Sequence, residues 1–321
     1  MSAPQPLLEL MDLQADVAQG RSTLRAGPVR VEAPAALLTT PISAPLDALL
    51  DRAWFLAPRG VEVGDSRMFE VLGALAEDKE LYLDLELPGV PEPGVIPAVL
   101  GARIARLRVR VAEDASDVPV AASVELARCV SGRVVLEFTV SAEGAARVPA
   151  LIAVVGRGDV PRDVHLIPMG SQAQHALSQS WDEVAEVATT HEVTVSVRGG
   201  RRVSAGPPLD PLAGANILDA SVRATFRSRV SLCPFPFMTT VFTDTGVAVC
   251  PAPGGPALPH VPDGVWNAAL FTDVREAFFA GAPPDVCRQC TLFPRVRRSL
   301  SETPWDTGPG STDLPVGTME V

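Results

Sequence analysis

The chain has 321 residues, 47% of them hydrophobic, and a formal net charge of −11. That is enough apolar material for one large domain or two ordinary ones around a sizeable core. So acidic a chain is a poor partner for phosphate backbones, which argues against nucleic acid, and no apolar run reaches the roughly 18 residues a membrane helix needs.

Taken in chain order, the first zone is an N-terminal arm, 1–28. Its first 20 residues hold Glu9, Asp12 and Asp16 but no lysine or arginine, unlike a secretory signal. The expected compartment is therefore the cytoplasm. Five cysteines in a reducing compartment point to metal or burial, not to disulfides.

The second zone, 29–204, alternates strands and helices. Strands are predicted at 29–32, 61–64, 81–87, 105–111, 134–140, 164–168 and 193–197. Helices are predicted at 45–55 with Ser43 as cap, at 66–77 and at 181–188. Such alternation predicts βα units and a parallel sheet. Six or seven units of this length suit a complete or partial α/β barrel.

Strands in a parallel sheet are usually apolar on both faces. Here Leu81, Leu83, Leu85 and Leu87 interleave with Tyr82, Asp84 and Glu86, and Arg106, Arg108 and Arg110 interleave with Leu107, Val109 and Val111. The same alternation places Glu137 and Thr139, and Thr194, Ser196 and Arg198, on one side. A charged cavity inside the barrel is expected; the plainer alternative is a sheet with one solvent-facing side. Glu62, Asp84, Glu86 and His165 are candidate cavity groups without an assigned catalytic role. No nucleotide-binding glycine loop, nucleophile elbow or zinc-protease helix is present.

The third zone, 205–298, begins with the turn-rich run 205–214 and carries Cys233, Cys250, Cys287 and Cys290. Thiolates favour soft or borderline metals, and the two-residue gap in Cys287-Arg-Gln-Cys290 lets both sulfurs reach one centre. Zinc is an alternative occupant, although the long interval between Cys233 and Cys250 is unlike paired zinc knuckles. His260 is a candidate substitute ligand, Trp266 is expected in the core of the module, and Cys129 is expected as a small buried hydrophobe. The last zone, 299–321, is rich in Ser, Thr, Pro and Gly and is expected to be a flexible tail.

From Cys233-Pro through Asp244-Thr-Gly246-Val, Cys250, Val265-Trp266-Asn267, Asp273-Val-Arg275 and Gly281-Ala-Pro-Pro-Asp-Val to Cys287-x-x-Cys290, the chain resembles the SPASM domain. That domain is the auxiliary iron–sulfur module of many radical SAM enzymes. The resemblance implies at most one fully thiolate-ligated [4Fe–4S] cluster, held by Cys233, Cys250, Cys287 and Cys290. The layout of 29–204 is similar to a radical SAM barrel, here a partial (βα)6-type barrel. Where that family carries Gly-Gly-Glu-Pro this chain has Val63-Gly64-Asp65-Ser66. Where the family carries Cys-x-x-x-Cys-x-x-Cys, the segment 33–44 has neither cysteine nor histidine. The resemblance therefore implies a degenerate member that does not use SAM and has no catalytic residues of that kind. The expected role is a partner subunit for an intact radical SAM enzyme, presenting a peptide or small substrate or relaying electrons. The alternatives are a remodelled barrel with non-radical chemistry and a zinc-stapled binding domain.

Overall fold

A computed structural model describes residues 5–39, 41–92, 94–111, 122, 125–130, 133–157, 163–197, 202–203, 232–252 and 254–290. The tail 299–321 and the run 205–214 lie outside the described residues.

The strands are β1 (Arg30–Pro34), β2 (Phe55–Arg59), β3 (Tyr82–Leu87), β4 (Ile104–Val111), β5 (Arg133–Val140), β6 (Asp163–Pro168), β7 (Thr194–Val197), β8 (Arg202–Val203), β9 (Thr239–Thr243), β10 (Gly246–Ala248) and β11 (Ala257–Leu258). They form one 11-stranded sheet in the order β11-β10-β9-β1-β2-β3-β4-β5-β6-β7-β8. The run from β9 through β1 to β7 is parallel throughout. The edge pairs β7–β8, β9–β10 and β10–β11 are antiparallel. Among the described residues no pairing joins β8 to β11 and closes the sheet.

The order explains the polar alternation. From β1 to β7 each strand lies beside its predecessor, and right-handed crossovers of that kind put every connecting helix on the same face. Only one face needs to be apolar. Leu83, Leu85, Leu87, Leu107, Val109, Leu136, Val164 and Val195 fill that face and are almost wholly buried. The register brings the polar set side by side on the other, matching Asp84 to Arg106, Glu86 to Arg108, Arg110 to Glu137, and Glu137 to His165.

Two predicted elements shift. The strand expected at 61–64 lies instead at Phe55–Arg59, and the helix expected to run to 55 is Ala44–Leu50. Trp54, inside the span expected to be helical, is buried just before β2. Gly60 has a left-handed φ of 73° that follows the strand's end, and 61–65 turns the chain into the helix Ser66–Asp78. Glu62 is accordingly an exposed loop residue and not a strand residue facing a cavity. Asp65 caps the following helix, accepting from Met68 N–H at 2.9 Å. Ser43 stands at the N-cap position of Ala44–Leu50 without a side-chain cap bond. Cys129 is exposed, not buried, at the turn after 125–128.

The arm 1–28 contains the helix Gln5–Ala18. Its fully buried Asp16 accepts from the Arg25 backbone N–H at 2.8 Å and from Arg25 Nε at 2.9 Å. A buried carboxylate answered in this way fixes the path of residues 21–25 against the helix. No helix among the described residues is long and apolar enough to cross a membrane.

Candidate functional site

The four cysteines of the third zone arrive from three separate pieces of chain. Cys233 precedes the short helix Phe235–Met238, Cys250 follows β10, Cys287 lies in the helix Asp285–Arg288, and Cys290 comes just after it. All four line one cavity of about 20 Å³, together with Phe235, Pro236, Val249, Ala252 and Phe278. No charged side chain is among those walls in the described residues. As drawn in, the space admits about one water-sized occupant. Among the described residues no group of three or more His, Cys, Asp or Glu is already arranged to hold a metal ion. The thiols thus share a cavity without having closed on a single point. His260 is exposed and is not among the lining residues.

The chemistry of the donor set suits a thiophilic centre. Burial pushes the Cys233 thiol up to about 12, helped by Cys250, Cys287 and Cys290 and opposed by a hydrogen bond from the Phe235 backbone. Burial likewise raises Cys287 to about 11, with Cys250 and Cys290 adding to it. Cys250 is raised by burial and opposed by a hydrogen bond from the Ala252 backbone; the charges of Cys290 and Glu32 raise it further. An apolar hole holding four thiols cannot carry four free thiolate charges; a metal supplies the compensating charge. Backbone N–H groups aimed at sulfur are the outer contacts that stabilise metal-bound thiolates. Gly255 is tailored to the same sulfur, because a Cβ there would sit 2.6 Å from Cys250 Sγ. The residues therefore fit a tetrathiolate centre by donor type, backbone support and space at Gly255.

The Trp-Asn and Arg positions of the sequence motif have a visible task. Trp266 Nε1 donates to the Ala26 carbonyl at 2.8 Å, and Asn267 pairs both ways with the Leu24 backbone at 2.8 and 3.0 Å. Arg275 is fully buried. It donates to the Pro236 carbonyl at 2.7 Å, and to the Ser22 carbonyl and Asn267 Oδ1 at 3.0 Å each. Its guanidinium lies 4.2 Å from the Trp266 ring centroid, a cation–π contact. Burial pulls Arg275 down to about 9, still charged near neutrality. The motif thus clamps the arm at residues 22–26 to the loop that presents Cys233. Sequence reasoning located these residues as a pattern but did not find their partner, because nothing in the arm's own sequence announces it.

Beside this lies the charged cleft, about 440 Å³, on the polar face of β1–β4. Arg30 bonds Asp84, and contacts Glu32 at 3.0 Å. Arg108 meets Glu86 at 3.2 Å, and Arg110 bonds Glu86 and approaches Glu137 at 3.6 Å. Burial alone would raise the Asp84 carboxyl; the charges of Arg30 and Arg106, the Arg30 hydrogen bond and Arg108 outweigh it and hold Asp84 below its ordinary value. His165 is half-buried on the same polar face. Glu32 joins the two regions, lining the cleft while its charge reaches Cys250.

No family model matches the chain, and no curated protein matches it. Among solved structures it is similar to Streptococcus suis SuiB, at 10% identity over 93% of this chain and 74% of that one, with a TM-score of 0.47. The S-adenosylmethionine-bound form of SuiB gives 10% identity over 92% and 74%, with a TM-score of 0.48. Similarity this slight leaves the function to be read from the chain's own residues.

Proposed function

We propose that Cys233, Cys250, Cys287 and Cys290 hold one [4Fe–4S] cluster in a SPASM-like domain, 205–298, attached to a partial radical-SAM-like barrel, 29–204. The supporting observation is that four cysteines from three stretches of chain line one cavity with, among the described residues, no charged side chain in its walls. When bound, such a cluster supplies one-electron transfer at a potential set by backbone hydrogen bonds and burial. The chain's own residues would set that environment. The Phe235 and Ala252 backbones would support two sulfurs, Arg275 would hold the Cys233 loop to the arm, and Phe235 and Phe278 would exclude water.

The absence of a second cysteine cluster in 33–44 underlies the rest of the reading. The protein would serve in the cytoplasm as a non-catalytic partner of a radical SAM enzyme, presenting substrate or relaying electrons in peptide or natural-product modification. Incubation of the isolated protein with SAM and dithionite tests this, with no SAM cleavage expected. Cleavage at enzymatic rates would make the chain a catalyst in its own right. A zinc-stapled domain is the second reading, favoured by the small 20 Å³ cavity, which is nearer the size of one ion than of a cube of eight atoms. Metal analysis separates the two.

A further inference from the structure

Arg275 stands between the cysteine cavity and the N-terminal arm and is bonded to both. On the cavity side its Nε donates to the Pro236 carbonyl at 2.7 Å, and Pro236 lines the cavity beside Phe235. On the arm side its Nη1 donates to the Ser22 carbonyl and to Asn267 Oδ1, each at 3.0 Å. The same Asn267 oxygen accepts from the Leu24 backbone N–H at 3.0 Å. A second link runs through the helix Ala269–Phe279. Its Phe278 is a wall of the cavity, and its Glu276 accepts from Ser22 Oγ at 2.8 Å. Beyond Leu24, the backbone and side chain of Arg25 hold Asp16 in the helix Gln5–Ala18. Arg275 is fully buried, and its Nη2 has no hydrogen-bond partner among the described residues. A guanidinium so placed has no acceptor to spare. If one more is lost, it stays unsatisfied at a cost or turns toward water, and turning frees Ser22 and Asn267 together.

We propose that occupancy of the four-cysteine cavity is coupled through Arg275 to the arm, so that a metal centre locks residues 21–26 and its loss releases them. This rests on the reading of the cysteines as metal ligands. A centre that ties Cys233 to Cys287 and Cys290 fixes the turn Phe235–Met238 and the chain that leaves the helix Ala269–Phe279. It thereby fixes the Pro236 carbonyl on which Arg275 depends. Without that tie both walls relax, Arg275 loses its cavity-side acceptor, and the arm-side bonds open with it. The arm then reports the state of the centre. Coupling of this kind is reciprocal: freeing the arm weakens the hold on the metal. Asn267 is the place to free it, because it neither lines the cavity nor supplies a ligand, yet it bonds Leu24 through both its oxygen and its nitrogen.

Hydrogen exchange of the full-length protein tests the link, before and after anaerobic removal of metal with dithionite and chelator. Iron, sulfide and zinc are measured on both samples. Peptides spanning 21–26 should exchange about tenfold or more faster once the metal is gone, while β3–β6 stay unchanged. In the converse arm, Asn267→Ala should hold metal about tenfold less tightly in competition with a chelator. Unchanged exchange at 21–26 in a sample shown to have lost its metal would overturn the coupling and leave the cysteine reading standing. Equal acceleration in β3–β6 would overturn it too, since the effect would then be general unfolding. So would an Asn267→Ala protein whose arm exchanges faster while its metal is held as tightly as before. A protein that carries no metal in either sample would remove the cysteine reading, and this inference with it. If Asn267→Ala does not fold, the comparison on the unaltered chain decides.

Discussion

The cysteine cavity and the arginine cleft share Glu32 yet handle charge in opposite ways. The cleft carries positive and negative side chains interleaved strand by strand, so they pair with one another, and its buried Asp84 is held ionised by the neighbouring arginines. The cavity has no countercharge in its walls among the described residues, and burial keeps the Cys233 and Cys287 thiols protonated. A self-neutralised surface is complete without an occupant, apart from its few unpaired atoms. On the proposed reading, a metal centre would replace the thiol protons and complete that cavity. The difference teaches that paired charges hold a surface by themselves, whereas gathered thiols are the place to test for a metal.

The largest test of that contrast is Cys250→Ser. Metal content should be lost, and hydrogen-exchange protection should fall in β9–β11 while β3–β6 stay protected, because the centre ties the β9 edge to its loops. Retained metal would remove Cys250 from the centre. Next is Arg275→Met, which strips the clamp of its buried cation and leaves the carbonyls of Pro236 and Ser22 without that donor. A loss of about 3 kcal/mol is expected by urea denaturation. An unchanged midpoint would mean that the clamp does not hold the module to the arm.

Smaller effects sharpen the contrast. Gly255→Ala should cost about 1–3 kcal/mol and weaken metal retention through overpacking against the Cys250 sulfur; unchanged retention on dialysis against chelator would count against the fit. Asp84 is held below its ordinary value, so its contribution is present above about pH 4 and is lost as pH falls through its lowered folded value. The stability gap between the unaltered protein and Asp84→Asn should therefore narrow on acidification, read by thermal unfolding from pH 7 to 3. A gap that widens would reverse the sign assigned to Asp84. Glu86→Gln, on a partly exposed pair, should cost at most about 1 kcal/mol.

Much of this contrast was legible from sequence, for definite reasons. Period-two alternation in 81–87 and 105–111 reports a sheet with one apolar face, and that is how Leu85, Asp84, Leu107 and Arg108 are placed. That Cys233, Cys250, Cys287 and Cys290 would come together was legible because cysteines are rare in this chain and cluster in its last third. Strand β2 was not, because Phe55-Leu-Ala-Pro-Arg59 is short, contains proline and follows a helical pattern that in the sequence runs on through Trp54. Nor was the continuity of the sheet. The pairing of β9 with β1 joins segments some 200 residues apart, and no local pattern encodes such a neighbour. The clamp on residues 22–26 was hidden for the same reason, since backbone carbonyls have no signature in sequence.

The most direct test of the central claim is iron, sulfide and zinc content of anaerobically purified protein, with visible absorption before and after dithionite. The account predicts about four irons and four sulfides per chain, with a broad brown absorption that bleaches on reduction. One colourless zinc without iron would contradict it and leave a stapled binding domain.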